Sequence, residues 1–328
     1  MPFPGTPRSS FGHVVLDDRI YISGGHLGRY HHYPKGAFAA EFHSVDIATG
    51  SDVRPLRQMK IPTQGHRLTT FGDDIFSFGG FCYDEQLDYG PDPNSFEWYA
   101  RSSDAVWRYS IKTDEWFLFA TLPRRRSSNV IGVTGNIAYL IGGWDGTPWA
   151  RNDYVGRLHS VCELFDLAVG KVLPNEMLMP TPRRRAFTGI VLGGKLYVAG
   201  GVGAITDEYP EGQNFDEFAS YDLATNTWSS SYYGQLPKLK RPLFSPGMGV
   251  VGKTLVLTGG SEPSHQRNQR IWLWKPGMPD WVENSSSLSV GVTFPEIVEA
   301  GPSKALVFGG HGKTDPAALW EYVELDGV

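Results

Sequence analysis

Six times along this chain of 328 residues, an apolar run ends in two adjacent glycines. The phrase reads Tyr21-Ile22-Ser23-Gly24-Gly25, then Phe76-Ser77-Phe78-Gly79-Gly80, then Tyr139-Leu140-Ile141-Gly142-Gly143. It returns as Tyr197-Val198-Ala199-Gly200-Gly201, Leu257-Thr258-Gly259-Gly260 and Leu306-Val307-Phe308-Gly309-Gly310. The first glycines lie 55, 63, 58, 59 and 50 residues apart. Self-similarity at such a period means that each unit is one supersecondary element, stacked on copies of itself in a propeller or solenoid. An apolar run closed by two residues free to take positive φ is a β-strand at the point where the polypeptide leaves the sheet.

Aligned on the glycines, the units place Ser10, Gly65, Ser128, Ala186, Ser245 and Pro295 at one position, all small, as strands crowded around an axis require. Further on, an aromatic or apolar residue is followed seven positions later by another, across a turn. The pairs are Tyr109 and Trp116, Phe165 and Val172, Tyr221 and Trp228, and Trp274 and Trp281. The fullest copy, Tyr221-Asp222-Leu223-Ala224-Thr225-Asn226-Thr227-Trp228, resembles the second half of a Kelch repeat, and the Gly-Gly phrase resembles the first half. The resemblance implies an all-β, six-bladed Kelch β-propeller with four-stranded antiparallel blades around a channel. The expected organisation is a single propeller over 1–328, with repeats at about 8–62, 63–122, 123–180, 181–237, 238–289 and 290–328. In the last repeat Tyr322 stands where Tyr221 does, so a fourth strand would run past Val328. That blade is expected to be incomplete, or closed by Met1 to Pro4, which match the tail of a fourth strand such as Phe119-Ala120-Thr121-Leu122-Pro123.

A net charge of −5 argues against general binding to nucleic acid or membrane surfaces. Two cysteines, Cys82 and Cys162, make no disulfide framework. The N-terminus lacks an apolar core of the signal-peptide kind, and no apolar run approaches the roughly 18 residues of a spanning helix. The expected setting is the cytoplasm, with the nucleus as a second compartment.

Because strands alternate in direction, the loops joining second to third strands emerge on the same face as the connections between blades. Those connections carry Arg8, Arg124-Arg125-Arg126, Arg183-Arg184-Arg185 and Lys238-Leu239-Lys240-Arg241. Arg8, Arg126 and Arg184 share one repeat position, Arg67 lies close to it in blade two, and Leu243 and Thr293 stand there in the last two blades. One such arginine is ordinarily a solvated charge. Three at one position predict a ring at the channel mouth, suited to carboxylates or phosphates. Around it the loops supply further candidates: Tyr30 and His31 in blade one, Trp144 in blade three and Tyr209 in blade four, with Arg241 at the start of blade five.

No His or Cys pair has metal-ligand spacing, so no metal and no cofactor are expected. Some Kelch relatives are copper oxidases, iron-dependent lyases or a sialic-acid epimerase, but the residues those activities imply are not assembled here; Cys82-Tyr83, for instance, lacks a supporting histidine pair. The second blade, Phe76-Ser77-Phe78-Gly79-Gly80-Phe81-Cys82-Tyr83-Asp84, resembles the small animal Kelch-domain proteins, some of which are substrate receptors of cullin-RING ubiquitin ligases. The expected function is non-enzymatic: capture of a protein or peptide with an acidic segment or a C-terminal carboxylate at the arginine-lined face. The resemblance extends this to substrate recognition for a ubiquitin ligase, although no adaptor-binding box is visible. The alternatives are an epimerase-type enzyme acting on a sugar acid and a cytoskeletal, actin-binding propeller.

Overall fold

The computed structural model describes residues 2–29, 33–83, 100–147, 158–174, 177–178, 184–204, 206–209 and 212–328. Six antiparallel sheets follow one another in sequence order. Blade one is Gly12–Leu16, Arg19–Ser23, Phe42–Asp46 and Arg54–Leu56, in that spatial order. Blades four and five repeat the order with Thr188–Leu192, Lys195–Ala199, Phe218–Asp222 and Thr227–Ser230, and with Phe244–Val251, Thr254–Ser261, Arg270–Trp274 and Val282–Ser287. Blades two and three keep the plan but add short strands near the loop face, Thr63–Gln64 with Phe81–Tyr83 and Met177–Leu178. Blade six has three strands, Glu296–Glu299, Lys304–Phe308 and Trp320–Glu324.

The glycine pairs are where neighbouring blades touch. In all six, the first glycine has φ between +56° and +68° and the second between +84° and +114°. The turn presents the second N–H to the next blade: Gly25 donates to Thr63 O, Gly80 to Arg126 O, Gly143 to Arg184 O, Gly201 to Leu243 O and Gly260 to Val292 O, at 2.8–3.0 Å. A Cβ on Gly24 would lie 2.3 Å from Thr63 O, and one on Gly79 2.3 Å from Arg126 O. Both the positive φ and this close approach exclude a side chain.

A second belt runs around the axis through the small position. Gly65 N–H donates to Ser10 O, Ser128 to Gly65, Ala186 to Ser128, Ser245 to Ala186 and Phe294 to Ser245, at 2.6–3.0 Å. All six residues have φ between +50° and +62°, five of them without being glycine. These hydrogen bonds offset the left-handed strain of the non-glycine members, of order 1–2 kcal/mol each. In blade six the member is Phe294, where the sequence alignment set Pro295. The hairpin through Gly301 and Ser303 is one residue longer than its counterparts, pairing Glu296 with Phe308 where blade one pairs Gly12 with Ser23. The same shift puts Val292, not Thr293, at the arginine position.

Apolar side chains fill every seam. Phe11, Ile22, Phe308 and Trp320 join blades six and one; Leu68, Ile75, Tyr109 and Trp116 join one and two. Phe78, Leu140 and Phe165 join two and three, Ile141, Phe187 and Tyr221 three and four, Tyr197, Leu257 and Trp272 four and five, and Val256, Leu273 and Val307 five and six. Sheets buried on both faces explain why second strands carry consecutive apolar residues instead of alternating with polar ones. The repeat pairs close the outer hairpins: Tyr109 opposes Trp116 and Tyr221 opposes Trp228, with ring centroids 5.1 Å apart in each. Each tyrosine hydroxyl also donates to the left-handed turn residue, Asp114 at 2.6 Å and Asn226 at 2.8 Å.

Blade six is completed by the N-terminus. Phe3 N–H donates to Ala318 O at 3.1 Å, as Met59 does to Ala40 O in blade one at 3.0 Å. The Phe3 ring is 4% exposed and packs between Phe11 and Trp320. The C-terminal tail, for which the sequence suggests no partner, is held as well. Asp326 accepts from the Ser285 N–H at 2.5 Å, and its own N–H donates to Asn284 Oδ1 at 2.8 Å, tying the tail to the fourth strand of blade five.

Candidate functional site

The arginines at the shared repeat position are not a solvent-facing ring. Arg8, Arg126 and Arg184 have fully buried side chains. Each turns into its own blade and pairs with a glutamate just before or within the third strand: Arg8 with Glu41, Arg126 with Glu163, and Arg184 with Glu217 at 2.7 Å. Each also donates to the carbonyl of the first glycine of its pair, Gly24 at 3.1 Å, Gly142 at 3.3 Å and Gly200 at 2.9 Å. Burial lowers the Arg8 and Arg184 pKa values from their ordinary range, and the glutamate partners pull the other way. This corrects the expectation of three heads converging on a ligand. A buried cation needs a charged partner, and the blade provides one before a ligand could.

Arg67 instead enters the central channel, where Nη1 lies 3.1 Å from Glu296 Oε1 and Nε donates to Asn129 O at 2.8 Å. Arg241 makes an exposed pair with Glu262 at 2.8 Å. Tyr209 sits in the blade-four loop, its N–H bonded to Thr206 O at 3.1 Å. Tyr30 and His31 lie outside the described residues, as do Asp84, Glu85, Tyr89, Trp98 and Trp149.

On the loop face the residues immediately after four of the Gly-Gly pairs, His26, Phe81, Trp144 and His311, gather into an arc. His311 and His26 are stacked at 6.3 Å, Tyr33 lies 5.1 Å from His26, and Phe81 lies 5.5 Å from Tyr33. Trp144 stacks on Phe81 at 6.2 Å, and the Arg185 guanidinium covers the Trp144 ring at 4.5 Å. The arc crosses blades six, one, two and three and ends at the start of blade four. It is held there by β-bridges that extend the blades past the glycines, among them Ser9 with His26, Ser127 with Trp144 and Arg185 with Val202. His26, Phe81 and His311 are buried beneath the loops, while Trp144 and Arg185 are half-buried at the edge. Among the described residues Arg185 has no carboxylate partner, in contrast to the five arginines just placed.

The signal for Trp144 is visible in the sequence. Arg185 was hidden because, in the run Arg183-Arg184-Arg185, nothing in residue type separates the buried second arginine from the half-buried third. Cys82 and Cys162 are buried, and burial pushes the Cys162 thiol up to about 12. Among the described residues no group of three or more His, Cys, Asp or Glu side chains is gathered as a metal site would need, and no helix is long and apolar enough to cross a membrane.

Six sheets of this plan around a channel define a β-propeller. The Kelch motif model matches residues 183–230, the blade-four unit with the fullest repeat, which marks that unit as a Kelch repeat. The protein is 26% identical over 211 residues to Kelch-like protein terF of Aspergillus terreus, covering 63% of this sequence and 41% of that one. It is 29% identical over 168 residues to an F-box/kelch-repeat protein of Arabidopsis thaliana, covering 51% and 35%. With N-(sulfonatooxy)prop-2-enimidothioate sulfolyase of Thlaspi arvense it shares 26% identity over 268 residues, 77% of this sequence and 70% of that one. The match thus spans less than half the length of the first two relatives. Among solved structures, that of YjhT superposes with a TM-score of 0.77 at 15% identity, covering 100% of this protein and 97% of the other, which is a likeness of fold.

Proposed function

We propose that the loop face binds a protein or peptide through a carboxylate, either an acidic side chain or a C-terminal carboxyl group, with Arg185 on Trp144 as its anchor. The supporting observation is the Arg185 guanidinium: stacked 4.5 Å over an indole, partly exposed and without a carboxylate partner among the described residues. Stacking on the ring fixes the plane of the guanidinium and leaves its edge for a bidentate contact. Tyr209 and the residues around Trp144 supply rim contacts. The finer step of the same proposal is that the propeller is the substrate-recognition module of a ubiquitin ligase. The F-box in the name of the Arabidopsis relative motivates it, and co-purification with a cullin scaffold tests it.

Selection from a random peptide library with free C-termini tests the proposal. Enrichment of acidic or C-terminal carboxylate-bearing sequences is expected, with binding weakened about tenfold by Arg185→Ala and restored only in part by Arg185→Lys. A library that enriches nothing, or peptides whose affinity ignores Arg185, would count against it. A second reading, an enzyme acting on a small anionic substrate at the same arginine, is motivated by the sulfolyase relative, which aligns over most of both sequences; turnover of sulfated or carboxylated small molecules by the purified protein tests it.

A further inference from the structure

The channel is divided in two by the belt of left-handed residues. At the level of Ser10, Gly65, Ser128, Ala186, Ser245 and Phe294 it narrows to a void of about 20 Å³, room for a water and no more. Below this neck it widens to about 430 Å³, within the usual range for small-molecule pockets. Val15, 38% exposed beside the Asp17-Asp18 turn, lines its far end. The chamber is therefore blind toward the loops and open on the opposite face.

Its walls are of two kinds. Blades three to five contribute apolar side chains, including Val133, Val191, Met248 and Val250. Blades six, one and two contribute three polar groups just below the neck. Glu296 stands between Arg67 and His13, Oε1 3.1 Å from Arg67 Nη1 and Oε2 3.3 Å from His13 Nδ1. The three are partly exposed, at 24% for Arg67, 14% for Glu296 and 21% for His13. With Nδ1 turned to Glu296, the His13 Nε2 is left as an acceptor. Burial lowers the His13 pKa, Arg67 adds to this and Glu296 opposes it, so the ring is neutral at ordinary pH. One cation and one anion then cancel. The innermost strand of each blade also ends its sheet, so its second backbone edge, a row of neutral donors and acceptors, faces the channel.

We propose that this chamber is a second ligand site, distinct from the loop face, for an uncharged small molecule with an apolar body and an amide or hydroxyl head. The head accepts from Arg67 and donates to His13 Nε2, and the body lies against the valines and Met248. A carboxylate head would meet Glu296 and an ammonium head Arg67, so either loses on one side what it gains on the other. The chamber is reached from the face opposite the loops, so occupancy does not compete with the peptide.

Saturation-transfer NMR with phenylpropanamide, phenylpropanoate and phenylpropylamine, which share one body and differ in head charge, tests the proposal. The amide is expected to bind at least fivefold more tightly than either ion. Val15→Trp, at the open end, should abolish the signal, and Arg67→Met should weaken it about tenfold. Thermal melts report whether Arg67→Met still folds; Val15→Trp changes an exposed residue and serves if it does not. Peptide binding at the loop face should be unchanged in Val15→Trp. Absence of binding by all three probes at millimolar concentration would overturn the proposal. So would a preference for an ion, or amide binding that survives Val15→Trp.

Discussion

At the scale of residues, the protein buries charge in pairs. Glu163 accepts from Arg126 and from Arg124, and its side chain is fully buried, whereas Glu41 is 43% exposed. Removing one partner of a buried pair strands the other charge, so Glu163→Gln is expected to cost about 3–5 kcal/mol. Glu41→Gln should cost clearly less, because water reaches that end of the Arg8 pair. Urea unfolding of the two variants checks the order. Histidines report on pH in the same way. Burial is the largest cause depressing His43 and His159 to about 4 and His66 to about 3, with neighbouring arginines adding to it. The unfolded polypeptide binds those protons near pH 6.5, so stability is complete above that value and falls as pH drops toward 4. Each histidine contributes a slope of up to about 1.4 kcal/mol per pH unit. His13, lowered in the same direction, adds to this, so His66→Gln should remove about a quarter to a third of the histidine acid sensitivity between pH 6.5 and 5, and an unchanged slope would contradict the assignment. The alignment of the arginines was legible in the sequence; their partners were not. Glu41 and Glu217 directly precede the third strand of their blades, whereas Glu163 lies inside its strand, two positions further along the repeat, on the same side.

At the scale of elements, the Gly-Gly turn and the closing strand carry separate consequences. Gly79→Ala would drive a Cβ to 2.3 Å from Arg126 O at a backbone φ of +61°, and should destabilise by more than the roughly 1–2 kcal/mol of left-handed strain alone. Gly36→Ala, with nothing within 4 Å of the added carbon, is the matched control. Phe3→Ala empties the seam between blades six and one and is expected to cost about 3 kcal/mol. Deleting residues 1–7 should lower the melting temperature more than deleting 326–328, although both should lower it, since Asp326 is bonded to Ser285 and Asn284. N-terminal closure could be inferred because Phe3-Pro4 repeats the Leu122-Pro123 pattern. The C-terminal tie could not, because it rests on Asn284 and Ser285, polar residues whose types and spacing do not reveal a partner.

At the scale of the whole molecule, the architecture was legible because the seams repeat the same demand: second strands with an apolar centre, a small residue at the neck in five of the six blades, and glycines where the next blade arrives. The candidate site was legible only in outline. Repetition marks what blades share, and what they share is structural, as the buried arginines show. Binding depends on what differs between blades, and Arg185 differs from its counterparts Ser9 and Ser127 at one position. The central claim, that this one guanidinium anchors a ligand carboxylate at the loop face, is tested most directly by a double-mutant cycle. An enriched peptide would be titrated with a free or an amidated terminal carboxyl, or with Glu or Gln at its acidic position, against wild type and Arg185→Ala. The account predicts that neutralising the carboxylate weakens wild-type binding about tenfold and leaves the Arg185→Ala affinity unchanged. An equal loss in both proteins would contradict it.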